Sequence, residues 1–146
     1  VVFFTAGDGA MILFGLPEVA PDDAKRALSC AQELLVTISA DDLIAAAPHP
    51  TPVRIGAHSG EVQATVLGKK GRSTPTVTGD VVNTASRLQE QAKIEGAILA
   101  ISNEIYQEAG QPDVPGLYNV GPVMLRGRRQ SLDLWLLGPS VSLEQM

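Results

Sequence analysis

The chain opens with two short runs of β-branched, aromatic and aliphatic residues, 1–6 and 10–15, separated by Ala6-Gly7-Asp8-Gly9. An Asp-Gly step between apolar runs is a strong hairpin signal, because both residues tolerate the positive φ of tight hairpin turns. Residues 16–20 carry Pro17 and read as a loop that ends at Pro21-Asp22-Asp23, a favourable helix entry. Apolar residues then recur at Ala24, Ala27, Leu28, Ala31, Leu34, Leu35 and Ile38, the spacing of an amphipathic helix with one buried face. Asp41-Asp42 suggests a short extra turn, and Pro48, Pro50 and Pro52 end anything helical.

In the second half, Val53–His58 and Glu61–Leu67 read as two strands joined by a tight turn at Ser59-Gly60. Residues 68–73 have the composition of a mobile basic loop, and Thr76–Thr78 is a short extended stretch that leads to Gly79-Asp80. Val81, Val82, Ala85, Leu88 and Ala92 predict a second helix. Ala97–Ile101 predicts a strand, and Ser102 caps a helix through Glu108 with Gly110 as its stop. Leu117–Leu125 and Leu132–Leu137 predict a final antiparallel pair, with a frayed tail over 140–146 after one domain spanning 1–139. Short apolar strands, two or three helices and several hairpins together predict an α+β fold with a mainly antiparallel sheet.

Composition narrows the function classes. Eleven basic against sixteen acidic residues leave a net charge of −5, which excludes a broad nucleic-acid-coating surface. Cys30 is the sole cysteine, so an internal disulfide framework and a multi-cysteine zinc site are both ruled out, and a reducing, cytoplasmic setting is expected. No apolar run approaches the ~20 residues of a membrane-spanning helix, so direct membrane insertion by this segment is not expected. The chain has no initiator Met and starts inside the strand-like Val1-Val2-Phe3-Phe4, from which an absent upstream part is expected.

Three features could carry chemistry. Asp8, between two glycines on a predicted turn, could approach a hard divalent cation, although Asp-Gly is also simply a favoured turn pair. Asn83 and Arg87 lie four apart and share one helix face, where an amide and a guanidinium could meet a ribose and a phosphate, or stand as an ordinary solvated face. Lys69, Lys70 and Arg72 together with Arg126, Arg128 and Arg129 concentrate positive charge in two loops of an acidic chain, which suits a polyphosphate ligand or solvated loop charge equally. Neither common nucleotide fingerprint is present, nor is the serine-hydrolase elbow. His58 has no nearby Cys or second His, which argues against a metal role. Cys30 falls near the apolar face of the first helix and reads as a small buried hydrophobe.

In order, Thr5-Ala6-Gly7-Asp8-Gly9-Ala10-Met11-Ile12-Leu13-Phe14-Gly15, Val53-Arg54-Ile55-Gly56-Ala57-His58-Ser59-Gly60-Glu61 and Val77-Thr78-Gly79-Asp80-Val81-Val82-Asn83-Thr84-Ala85-Ser86-Arg87-Leu88 resemble the class III adenylyl/guanylyl cyclase catalytic domain. Leu125-Arg126-Gly127-Arg128 resembles that family's loop before its last strand. The resemblance implies a ferredoxin-like α+β core and a head-to-tail homodimer with active sites shared across the interface. It implies conversion of ATP, favoured over GTP, to 3′,5′-cyclic AMP and pyrophosphate with two Mg²⁺ or Mn²⁺ ions. Asp8 matches the second of the family's two metal-binding aspartates, whereas the first, with its strand and the helices after it, has no match in this chain. By the same resemblance Asn83 orients the ribose, Arg87 stabilises charge on the α-phosphate, and Arg126 stands where a lysine contacts the triphosphate. Phe4 and Thr76 occupy the two purine-reading positions. Thr76 is acceptable for adenine, while Phe4 departs from the expected lysine. Attached regulatory domains are also expected, and the alternative to turnover is a degenerate domain that dimerises and regulates.

Overall fold

The computed structural model describes residues 1–6, 9–16, 18–39, 53–67 and 74–138. Its elements run β1 (Val2–Ala6), β2 (Gly9–Leu13), α1 (Asp23–Ser39), β3 (Ile55–Ala57), β4 (Gln63–Leu67), β5 (Thr74–Thr78), α2 (Asp80–Ile94), β6 (Leu99–Ser102), α3 (Asn103–Glu108), β7 (Leu117–Val123) and β8 (Leu132–Leu137). The central sheet has the order β3-β6-β8-β7, in which β3 pairs parallel to β6 and the other neighbours are antiparallel. Two separate hairpins, β1–β2 and β4–β5, complete the α+β architecture.

The central strand β6 is buried on both faces, because successive side chains of a strand point to opposite sides. On one side Leu99 and Ile101 of β6 meet Ala24, Leu28, Ala31 and Leu35 of α1 and Ile105 of α3. On the other side Ala100 of β6 and Leu132, Leu134 and Leu136 of β8 meet Leu88 and Ala92 of α2, with Leu125 beside them. Each of these leucines contributes about 1.5–3 kcal/mol by leaving water. Tyr106 and Trp135 stack at 4.2 Å between ring centroids over the first face, and Trp135 Nε1 donates to Asn103 Oδ1 at 3.1 Å. Helix α2 lies close to β3 at Gly56. A Cβ built there would stand 2.3 Å from the Ala85 carbonyl oxygen and 2.5 Å from the Gln89 nitrogen.

The structure corrects two expectations. Val53–His58 and Glu61–Leu67 do not form a hairpin through Ser59-Gly60: β3 pairs with β6, whereas β4 pairs with β5, Gln63 opposite Thr78 and Leu67 opposite Thr74. Cys30 is half-buried rather than fully enclosed. The extra turn expected at Asp41-Asp42, the basic loop 68–73 and the tail 140–146 lie outside the described residues.

Candidate active site

Helix α2 is set by the apolar stripe that ends in Leu88 and Ala92, and it begins directly after Gly79, whose φ of 142° breaks the preceding strand conformation. That start puts Asp80 in the first turn, where a carboxylate complements the exposed backbone N–H groups. Asn83 is exposed, Thr84 faces inward at 1% exposure, and Arg87 is half-buried one turn further on. Arg87 Nη1 lies 3.1 Å from Glu90 Oε1.

The second basic element is the turn between β7 and β8. Leu125 is buried in the core, Arg128 N donates to the Leu125 carbonyl at 3.1 Å, and Gly127 has a φ of +84°. A positive φ at the third position of a four-residue turn is the mark of type II, which glycine adopts without steric cost. Arg126 therefore sits near the tip, with its side chain 76% exposed and Nη2 3.8 Å from the same Glu90 Oε1 that Arg87 touches. Two guanidinium groups from different elements thus converge on one oxygen atom, close enough for one polyphosphate chain to meet both. Arg128 turns the other way: Nη1 donates to Thr84 Oγ1 at 2.7 Å and to Asp80 Oδ2 at 3.1 Å.

Of the residues expected to carry chemistry, Arg87 and Arg126 are brought together. Phe4 lies on β1 opposite Met11 and is half-buried. Thr76 lies on β5 opposite Thr65. Asp8 lies outside the described residues, as do Lys69, Lys70 and Arg72. Among the described residues no group of three His, Cys, Asp or Glu side chains is arranged to hold a metal ion. The metal expectation accordingly rests on Asp8.

Sequence reasoning missed Glu90, although its spacing of three from Arg87 on a predicted helix was a usable signal. It also missed the clamp from Arg128 to Thr84 and Asp80, which spans more than forty positions and leaves no local trace. His58 directly follows β3, with Nδ1 2.6 Å from Ser102 Oγ, the buried N-cap of α3. Burial pushes its pKa below the ordinary histidine value; Arg128 also lowers it, while Glu104, Asp80 and Glu108 oppose the shift. This histidine ties two neighbouring strand ends together.

No helix among the described residues is long and apolar enough to cross a membrane. A family model for the adenylate and guanylate cyclase catalytic domain matches residues 4–138. The receptor-type guanylate cyclase gcy-28 of Caenorhabditis elegans is 34% identical over 142 residues, covering 92% of this chain and 10% of that protein. An adenylate cyclase of Mycobacterium tuberculosis is 28% identical over 137 residues, covering 94% of this chain and 29% of that protein. The chain therefore spans less than a third of the length of these relatives. The crystal structure of the guanylyl cyclase Cya2 superposes with a TM-score of 0.74 at 27% identity, covering 91% of this chain and 66% of that one. With the α+β sheet, the helix bearing Asn83 and Arg87 and the turn bearing Arg126 in place, the chain belongs to the adenylate and guanylate cyclase catalytic domain family.

Proposed function

We propose that this domain converts ATP to 3′,5′-cyclic AMP and pyrophosphate at sites shared between two copies of the chain. The ribose 3′-oxygen attacks the α-phosphorus and gives up its proton to solvent water, a P–O bond forms, and the bond from the α-phosphorus to the bridging oxygen of the β-phosphate breaks. Pyrophosphate leaves with that electron pair. Negative charge accumulates on the phosphate oxygens as this happens, so fixed donors aimed there accelerate the step. Arg87 takes the α-phosphate and Arg126 the outer phosphates. A planar fork of N–H donors matches phosphate oxygens, which is why Arg serves at a position where the family uses lysine. Asn83 orients the ribose. Asp8 is the residue proposed to hold Mg²⁺ or Mn²⁺, whose chemistry is to polarise the attacking oxygen and neutralise the leaving group.

The observation that supports this reading most directly is the convergence of Arg87 and Arg126 on one carboxylate oxygen of Glu90, an anion position between two basic elements. ATP rather than GTP is proposed from Thr76, and similar proteins of both activities are known. A second reading, a domain that dimerises and regulates without turnover, draws on Phe4: a half-buried phenyl ring cannot donate a hydrogen bond to a purine. Cyclic nucleotide formation by the full-length protein, with ATP and GTP supplied separately, distinguishes the two.

A further inference from the structure

Arg126 poses a positioning problem. Its side chain is largely in water, and its ion pair with Glu90 is 3.8 Å long and exposed on both sides. Such pairs contribute little and do not fix a long side chain. The place of Arg126 over α2 must therefore come from its neighbours in the turn. On one side Leu125 is locked in the core. On the other side Arg128, only 21% exposed, reaches Thr84 and Asp80 on the first turns of α2. The Thr84 bond is the stronger anchor. Thr84 is buried, and a donor from a charged group to a hydroxyl out of water is costly to lose. The Asp80 carboxylate, largely in water, adds a screened contact. Among the described residues Nε of Arg128 is buried without a hydrogen-bond partner, so Nη1 makes both anchoring bonds.

We infer that Arg128 is a positioning residue, which clamps the Leu125–Arg128 turn onto α2 through Thr84 and Asp80 and so holds Arg126 beside Arg87 for the phosphates of a nucleoside triphosphate. The inference rests on the nucleotide site proposed above and assigns that site a support outside it. The clamp crosses from one element to the other next to the residues concerned: Thr84 directly follows Asn83 and lies three before Arg87. Arg128 itself is neutralised by Asp80 and acts through Arg126.

The test is calorimetric binding of 3′-deoxy-ATP and 3′-deoxy-GTP, which lack the attacking hydroxyl, to the full-length protein with Mn²⁺. Arg128→Met weakens binding about tenfold, the size of one charge-assisted contact, and adds nothing further in an Arg126→Ala background. Thr84→Val, which keeps the volume and removes the hydroxyl, shifts binding in the same direction if Arg128→Met fails to fold. Arg128→Lys restores part of the loss, because one nitrogen makes both bonds. Unchanged affinity in Arg128→Met, or a loss that is additive with Arg126→Ala, overturns the inference. Turnover of ATP and GTP by the same preparations separates the two readings. Wild-type protein that binds but makes no cyclic nucleotide sinks the cyclase proposal and leaves the clamp standing, whereas wild-type protein that binds neither analogue overturns both.

Discussion

Gly56 is where sequence, packing and function meet most tightly. A Cβ at this position would lie 2.3 Å from the Ala85 carbonyl oxygen, 2.5 Å from the Gln89 nitrogen and 3.0 Å from Leu88 Cβ. Two of these three atoms are backbone of α2, so no rotamer change relieves the overlap and the helix itself must retreat from β3. Restoring ordinary contact requires a shift of about 1 Å, and overpacking of this kind costs about 1–3 kcal/mol. We place Gly56→Ala at the upper end, because backbone gives way less readily than a side chain. The same displacement moves Asn83 and Arg87, and a misplacement of about 1 Å can cost about a hundredfold in rate. Urea unfolding, with kcat/KM measured on the folded protein, reads both effects. Gly138→Ala is the control, since no atom of the described residues lies within 4 Å of its Cβ position and its φ is not positive. Wild-type stability and turnover in Gly56→Ala would show that α2 does not depend on this contact.

Other perturbations separate charge, metal and pH. Arg87→Ala lowers kcat about 10²–10³-fold, the usual loss when a preorganised donor to a developing charge is removed; steady-state kinetics with unchanged kcat would take Arg87 out of the chemistry. Asp8→Ala abolishes metal-dependent turnover, and an enzyme that keeps its Mn²⁺-dependent rate refutes that assignment. His58 is held below its ordinary pKa chiefly by burial, so the unfolded chain takes up the proton first as pH falls. Stability is therefore full above about 6.5, the ordinary histidine value, and declines as pH falls from there towards the folded-state value. Thermal melts between pH 7.5 and 5.5 show this decline in the wild type and a smaller one in His58→Asn; equal declines in both place the effect elsewhere.

Much of the fold was legible because its signals are local. The stripe from Ala24 to Leu35 produced α1, and Ser102 accepts the Ile105 N–H at 3.4 Å as the cap its position suggested. Leu132, Leu134 and Leu136 alternate along β8 as a strand with one deeply buried face should. Pairing was the part that local pattern did not carry. Ser59-Gly60 looks like a hairpin turn, yet the parallel partner of β3 is β6, more than forty positions along the chain. A strand's own residues record its alternation and burial, not the identity of its neighbour.

The site divides along the same line. Asn83 and Arg87 are one turn apart on a helix and could be paired from sequence alone. That Arg126 would meet Arg87 at Glu90, and that Arg128 would reach back to Thr84, depends on the β7–β8 turn folding over α2. In the sequence Arg126 and Arg128 stand in one basic loop, and the resemblance put Arg126 on the triphosphate, but no local spacing ties either residue to Glu90 or Thr84.

The most direct measurement is cyclic nucleotide formation by the full-length protein, with ATP and GTP supplied separately, Mn²⁺ in excess and protein concentration varied. The expected result is 3′,5′-cyclic AMP at a specific activity that rises with protein concentration, as a site shared between two copies requires. A folded, dimeric protein that yields no cyclic product from either nucleotide contradicts the proposed activity and points instead to a regulatory domain without turnover.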